Sequence, residues 1–235
     1  MIVEGKNAVM ETLKSGIQIK TLLIDKTLQK SAAAKDLFDL IDAKKIGFEL
    51  VDKTALDKVS VFKRHQGVIC TIPDYQYFDI DDLICENSFI VLLDAITDPH
   101  NFGSIIRVCE CMGVSGVIIS KNRCVDVNET VMRVSSGALN HVKIAKVVNI
   151  NSAIEYLKSK NIFVFGTDAN GQQLDKVNLK GNIAIVIGAE GSGMHRLTKE
   201  LCDGILSIPM YGKINSLNAS VACGIVLYSA VKQRM

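Results

Sequence analysis

The sequence has no Cys-x-x-Cys pair among its seven cysteines, which lie mostly among aliphatic residues. This spacing excludes the common zinc frameworks and predicts buried free thiols. Cys109 and Cys111, two apart on an expected helix, should face different ways. A strong charge of either sign is also lacking: 27 Lys and Arg stand against 25 Asp and Glu, a net charge of +2. Residues 1–74 hold 12 basic and 10 acidic side chains and the remainder holds 15 of each, so neither part has the basic excess of a nonspecific nucleic-acid binder. Residues 1–16 contain no apolar signal-peptide core and carry Glu4, Lys6, Glu11 and Lys14, which predicts a cytoplasmic protein. Repeats and low-complexity tracts are absent, which argues against solenoids and disordered linkers.

Residues 214–231 contain no charge at all. A membrane span is a poor reading of this stretch, because Asn215, Ser216, Asn218 and Ser220 crowd its first turns and lipid would leave them unsatisfied. A helix apolar nearly all round is expected to be buried against protein, with Ala219, Ala222 and Gly224 permitting close approach. It could be a core helix or one shared between the core and a dimer interface.

With 48% hydrophobic and 22% charged residues, the 235-residue chain has ample material for a packed core. Apolar runs of strand length (residues 20–25, 47–51, 67–72, 88–94, 114–120, 162–167, 182–188 and 205–210) alternate with helix-period segments at 32–45, 102–112, 153–160 and 195–202. Such alternation predicts an α/β fold with a mainly parallel sheet. The proline and aromatics of residues 73–78 interrupt the rhythm, which divides the chain into a small domain at 1–74, a lead-in at 75–87 and a larger domain at 88–235.

Three polar clusters each follow an expected strand. The first runs from Asp94 through Asp98, Pro99, His100 and Asn101 to Arg107, with Asn101 at an expected helix N-cap. An ordinary capped turn explains Pro99 and Asn101, but not why Asp98, His100, Asn101 and Arg107 gather at a strand's carboxyl end, where open α/β sheets place ligands. The second cluster, Gly188-Ala189-Glu190-Gly191-Ser192-Gly193, permits tight turning beside a ligand. Its glycine order reverses the dinucleotide fingerprint, and no acidic residue follows Asp203, so a dehydrogenase is disfavoured. The third runs from Ile208, Pro209 and Met210 to Ser216, Leu217, Asn218, Ala219 and Ser220, where Ser216 or Asn215 could cap the uncharged helix.

In this order the clusters resemble the three motifs of the SpoU (TrmH-type) ribose 2′-O-methyltransferases, from Asp94 to the last residue. Glu4-Gly5-Lys6-Asn7-Ala8-Val9 and His65-Gln66-Gly67-Val68 are similar to the small α/β RNA substrate-binding domain of the branch that methylates a guanosine in 23S rRNA. The resemblance implies a C-terminal SPOUT-type α/β domain with a deep trefoil knot, S-adenosyl-L-methionine as cofactor, structured RNA, most naturally rRNA, as partner, and a homodimer whose active sites draw on both chains. It implies no metal and no membrane. Cofactor contacts carried over by motif are Gly188, Ile208 and Leu217, with Ser216 and Asn218 nearby. Catalytic positions are Asn101, Arg107, Glu190, Ser216 and Asn218: Arg107 for the target phosphate and hydroxyl, Asn101 and Glu190 for site geometry, Ser216 and Asn218 for the cofactor-side loop. The alternatives are a tRNA ribose 2′-O-methyltransferase and a non-catalytic RNA-binding paralogue.

Overall fold

The apolar runs do become strands, and they sort into two sheets in two units: Met1–Gln76 with Val127–His141, and Tyr77–Asp126 with Val142–Met235. The computed structural model describes residues 1–213 and 216–235. Its first elements are β1 (Ile2–Glu4), α1 (Lys6–Lys14), β2 (Thr21–Asp25), α2 (Lys35–Lys44), β3 (Glu49–Val51), α3 (Lys53–Val59) and β4 (Val68–Thr71). The strands form a mixed sheet in the order β1-β4-β2-β3, with β4 antiparallel to both neighbours. Val9 and Leu13 on α1 and Leu37 and Ile41 on α2, each pair four residues apart, bury one stripe per helix.

The chain continues through β5 (Phe89–Asp94), α4 (Pro99–Cys111) and β6 (Gly116–Ser120), and then α5 (Glu129–Val134), which packs on β1 as part of the first unit. A single boundary at residues 73–78 therefore does not describe the fold, because residues 127–141 return to the first unit. After them come β7 (Ile144–Val147), α6 (Ile150–Ser159), β8 (Phe163–Gln173), β9 (Ile183–Gly188), α7 (Arg196–Leu201), β10 (Gly204–Ser207) and α8 (Ala219–Arg234). The second sheet is parallel throughout, in the order β10-β8-β9-β5-β6-β7. Its centre, β5 and β9, is buried almost end to end, as a sheet covered on both faces requires.

Two helix starts differ from expectation. Asp98, not Asn101, caps α4: its carboxylate accepts the N–H groups of His100 at 3.3 Å and Asn101 at 2.9 Å, and Pro99 occupies the first helical position, where a missing N–H costs nothing. Burial alone would raise the Asp98 pKa, but these N–H groups and the His100 ring hold it below the usual carboxylate value. At the other end, Asn218 caps α8 by accepting from Ser220 N at 3.0 Å and Val221 N at 3.4 Å. Ser216 precedes that cap, and Asn215 lies outside the described residues.

Helix α8 settles on α4 with Cys223, Val226, Leu227 and Ala230 buried. Its far end is tied down by Arg234, whose guanidinium donates to the carbonyls of Leu179, Gly181 and Asn87 and lies 4.8 Å from the Phe89 ring centre. No described helix is long and apolar enough to cross a membrane. The thiols divide: Cys70, Cys109 and Cys223 are buried, whereas Cys85 and Cys111 are exposed, contrary to uniform burial. Burial pushes Cys70 up to about 12.

Candidate active site

A cleft of about 240 Å³ opens at the carboxyl ends of β8, β9 and β10. Gly188, Glu190, Ile208, Ser216 and Leu217 all line it, together with Thr167, Asp168 and Ala169. The wall formed by these last three residues comes from an irregularity in β8. Ile205 of β10 pairs with Gly166 but Leu206 pairs with Gln172, so five residues of β8 loop out between adjacent rungs. Thr167 Oγ1 donates to the Val186 carbonyl at 2.9 Å and Ser207 Oγ to that of Gly171 at 2.9 Å, which fixes the excursion. The N–H of Asn170 and the Lys199 ammonium, at 2.9 Å, hold the Asp168 carboxyl below the usual range. The polar run Thr167–Gln173 carries no periodic signal, so the sequence pattern stops at residue 167 and misses this wall.

The second wall is the loop after β9. It folds back on itself through paired bonds between Ala189 and Gly193, N to O at 3.1 and 2.9 Å. A Cβ at Gly188 would lie 2.4 Å from the backbone of Gly193 and Met194, so only glycine lets the loop close. The glycine is thus required first by the loop itself. Asp94, buried at the end of β5 and paired in register with Gly188, holds the loop's far end: one carboxylate oxygen accepts His195 N at 2.8 Å and the other meets His195 Nδ1 at 2.8 Å. Sequence reading marks Asp94 as a strand end and His195 as a helix start, but spacing alone cannot pair residues 101 positions apart.

The three clusters meet in one polar knot of side chains. Asn101 Nδ2 donates to Glu190 Oε2 at 3.0 Å, and Asn218 Nδ2 donates to Asn101 Oδ1 at 2.8 Å and lies 3.4 Å from Glu190 Oε1. Because Asn218 Oδ1 is committed to capping α8, its amide can only point this way. Asn101, in the first turn of α4 and buried, spends both ends of its amide on the other two. Glu190 has no basic partner among these contacts; its carboxylate is held beside the cleft by two amides.

Arg107 stands further along the same helix. It lies six residues beyond Asn101, roughly 9 Å along α4 and about a third of a turn around it, on the exposed side. His100, next to Asp98, is also exposed.

The cleft's chemistry fits a cationic nucleoside. It has an apolar floor of Ile187, Leu206 and Val226, backbone edges from the glycine loop, and the carboxylates of Glu190 and Asp168. A flat heterocycle can lie against the apolar lining, with Glu190 as the acid beside it that has no cation among its described partners, since Asp168 is paired with Lys199. Gly188, Ile208 and Leu217 are among the residues that line this space.

The profile of the SpoU rRNA Methylase family matches residues 88–228, and that of the RNA 2′-O ribose methyltransferase substrate-binding domain matches residues 2–78. A Bacillus subtilis protein named as a TrmH family tRNA/rRNA methyltransferase, YacO, is 40% identical over 98% of this chain and 94% of its own length. Among solved structures, the SpoU methyltransferase AviRb of Streptomyces viridochromogenes in complex with AdoMet is 27% identical with a TM-score of 0.84, covering 99% of this chain and 89% of that one. A TrmH/SpoU tRNA modifying enzyme of A. aeolicus is 30% identical with a TM-score of 0.58 over 63% of this chain and 75% of its own. The chain therefore belongs to the SpoU rRNA methylase family, S-adenosylmethionine-dependent enzymes that methylate RNA at the ribose 2′-oxygen.

Proposed function

We propose that this enzyme methylates the 2′-hydroxyl of a guanosine in 23S rRNA and does so in the cytoplasm as a homodimer. The observation that carries the catalytic part is the joining of Asn101, Glu190 and Asn218, one from each motif, beside a cleft lined by Gly188, Ile208, Ser216 and Leu217. When bound, the cofactor supplies an activated methyl on a sulfonium. The protein's tasks are to hold the ribose oxygen in line at about 3–3.5 Å from that carbon and to help remove its proton. Asn101 and Glu190 keep the site's shape, Ser216 and Asn218 position the cofactor-side loop, and Arg107 grips the target phosphate and orients the hydroxyl. The family's trefoil knot, formed by the last segment, belongs to the same proposal.

Two observations support the dimer. On α8, Val221, Ile225 and Tyr228, spaced as one helical stripe, are 51%, 38% and 61% exposed. Arg107 is exposed on α4, six residues beyond Asn101, which leaves it accessible to the cleft of a second copy. For rRNA over tRNA, the support is the first unit: the match to the tRNA modifying enzyme spans 63% of this chain, whereas the substrate-binding profile covers residues 2–78. Mapping 2′-O-methyl groups in ribosomal and transfer RNA from cells with and without the protein tests the reading. One rRNA guanosine should lose its mark; loss confined to tRNA would establish the alternative, and no loss would favour a non-catalytic paralogue.

Asp94→Asn tests the loop's role in holding the cofactor. The amide keeps the shape but not the charge: with its oxygen on His195 N, its NH2 meets His195 Nδ1, which has to adopt the accepting tautomer, and both contacts become neutral ones. Cofactor affinity should fall about tenfold, as the loss of charge assistance implies, while the fold and the affinity for RNA persist. Unchanged cofactor binding by calorimetry would show that the loop stands without this tie.

A further inference from the structure

The first unit's small net charge conceals a local polarity. Around α2, Asp36, Asp39 and Asp42 are balanced by Lys35, Lys44 and Lys45, whereas residues 53–64 carry Lys53, Lys58, Lys63 and Arg64 against Asp57 alone. Asp57 is itself committed to the buried His65, whose Nε2 lies 3.1 Å from Asp57 Oδ1. The segment 60–67 between α3 and β4 is therefore a basic loop with little local compensation.

That loop is held far more firmly than a connection requires. Glu4, 6% exposed, turns its carboxylate inward to accept the Phe62 N–H at 2.7 Å and the Ser60 hydroxyl, and Ser60 Oγ in turn accepts Lys63 N at 2.8 Å. His65 Nδ1 accepts Gly67 N at 3.0 Å, and Lys6 N donates to Gln66 Oε1 at 3.1 Å. The Arg133 guanidinium lies 4.5 Å over the Phe62 ring, which clamps the loop from α5. Lys63 and Gln66 occupy left-handed backbone conformations (φ 56° and 51°) that neither residue type favours. Burying a carboxylate and holding two exposed residues in left-handed backbone to shape a loop is unfavourable for folding alone, and such strain gathers where a surface has a task.

We infer that the loop 60–67 is the edge by which the first unit meets RNA, with Lys63 and Arg64 on phosphates of an unpaired segment and the Nε2 end of the Gln66 amide, whose Oε1 accepts Lys6 N, donating to a base edge. This rests on the reading of the enzyme as an RNA methyltransferase. Cations fix register on a nucleic-acid backbone, and single-stranded loops, whose bases are splayed, are the parts of RNA that side chains can read. Holding these groups in place before contact spares the ordering cost that a flexible lysine-rich loop would incur on binding. Glu4 is then a positioning residue that acts through Ser60 and Phe62.

The test uses the full-length protein and ribosomal RNA from cells lacking it, with methyl transfer measured across a salt series. Lys63→Glu combined with Arg64→Glu should raise the KM for RNA at least about tenfold and shrink the slope of log affinity against log salt by roughly 1.4, the share of two phosphate contacts on a single strand. Cofactor affinity should not change. Lys44→Glu with Lys45→Glu, the same charge change at the C-terminal end of α2, should leave the RNA KM near the wild-type value. Glu4→Gln, which sets an amide against the two donors it now accepts, should raise the RNA KM without altering cofactor binding, and the folded fraction is checked by circular dichroism. If the loop variant keeps the wild-type KM and salt slope, or if the α2 variant weakens RNA equally, the loop is not the contact. If the wild type methylates no RNA, the functional reading itself fails, an outcome distinct from either.

Discussion

Asn101→Asp will lower methyl transfer at neutral pH by about 10²- to 10³-fold, and the deficit will narrow as the pH falls. The substitution is nearly isosteric, so packing in the first turn of α4 should survive. It replaces the amide that donates to Glu190 at 3.0 Å with a second carboxylate. Two carboxylates at that separation do not both ionise freely, so one retains its proton to a higher pH than either would alone. At low pH the shared proton restores a donor between residues 101 and 190, and Asn218 can still donate to residue 101 as it does now at 2.8 Å. As pH rises and that proton leaves, repulsion separates the side chains that join the three motifs, and the cleft's edge opens. Single-turnover rates between about pH 5.5 and 8, normalised to wild type at each pH, read this directly. A loss equal at every pH would mean that the asparagine acts through shape alone, and no loss would mean the triad is incidental.

The sheet of the second unit is legible because its strands are continuous aliphatic runs, and buried parallel strands have to be. The residues 88–94 and 182–188 reading differs from β5 and β9 by one residue at its start. What is not legible falls into two kinds. Short elements escape because their signal is shorter than any period: β1 has three residues and α5 six, and α5 belongs with the first unit although it follows β6 in the chain. Long-range partnerships escape because nothing local announces them. Asp94 reads as a strand end, yet its carboxylate is the anchor for His195. Glu4 reads as part of a motif, yet its carboxylate is turned inward to shape a loop near residue 60. The helix caps show the same limit on a smaller scale. Asp98, Asn101, Ser216 and Asn218 are all plausible caps by type, and only the closing of the fold selects Asp98 and Asn218, leaving the Asn101 amide for the site.

Arg107→Lys will lose about 10²-fold in rate with cofactor affinity near the wild-type value, and its partner effect will be felt in the other subunit. Guanidinium groups stay protonated throughout the pH range in which RNA can be assayed, so the expected role is a bidentate grip on the target phosphate that orients the hydroxyl, with the proton passing to phosphate, water or a neighbour such as His100. Lysine retains the charge but not the planar fork, so orientation is lost before binding is. An ionisation near neutrality that vanishes only when Arg107 is replaced would instead make it the base. The position of Arg107, about 9 Å along α4 from Asn101 and on the exposed side, adds a sharper expectation. If each cleft is completed by the arginine of a second chain, an Arg107→Ala subunit still has an intact cleft, and an Asn101→Asp subunit still has an intact arginine to lend it. Mixing these two inactive proteins and letting the dimers exchange should restore about a quarter of the wild-type rate, because half of random dimers are hybrids and one of their two sites is whole. An arginine that served its own chain's cleft would leave every site in the hybrid broken, and the mixture would stay as inactive as its components.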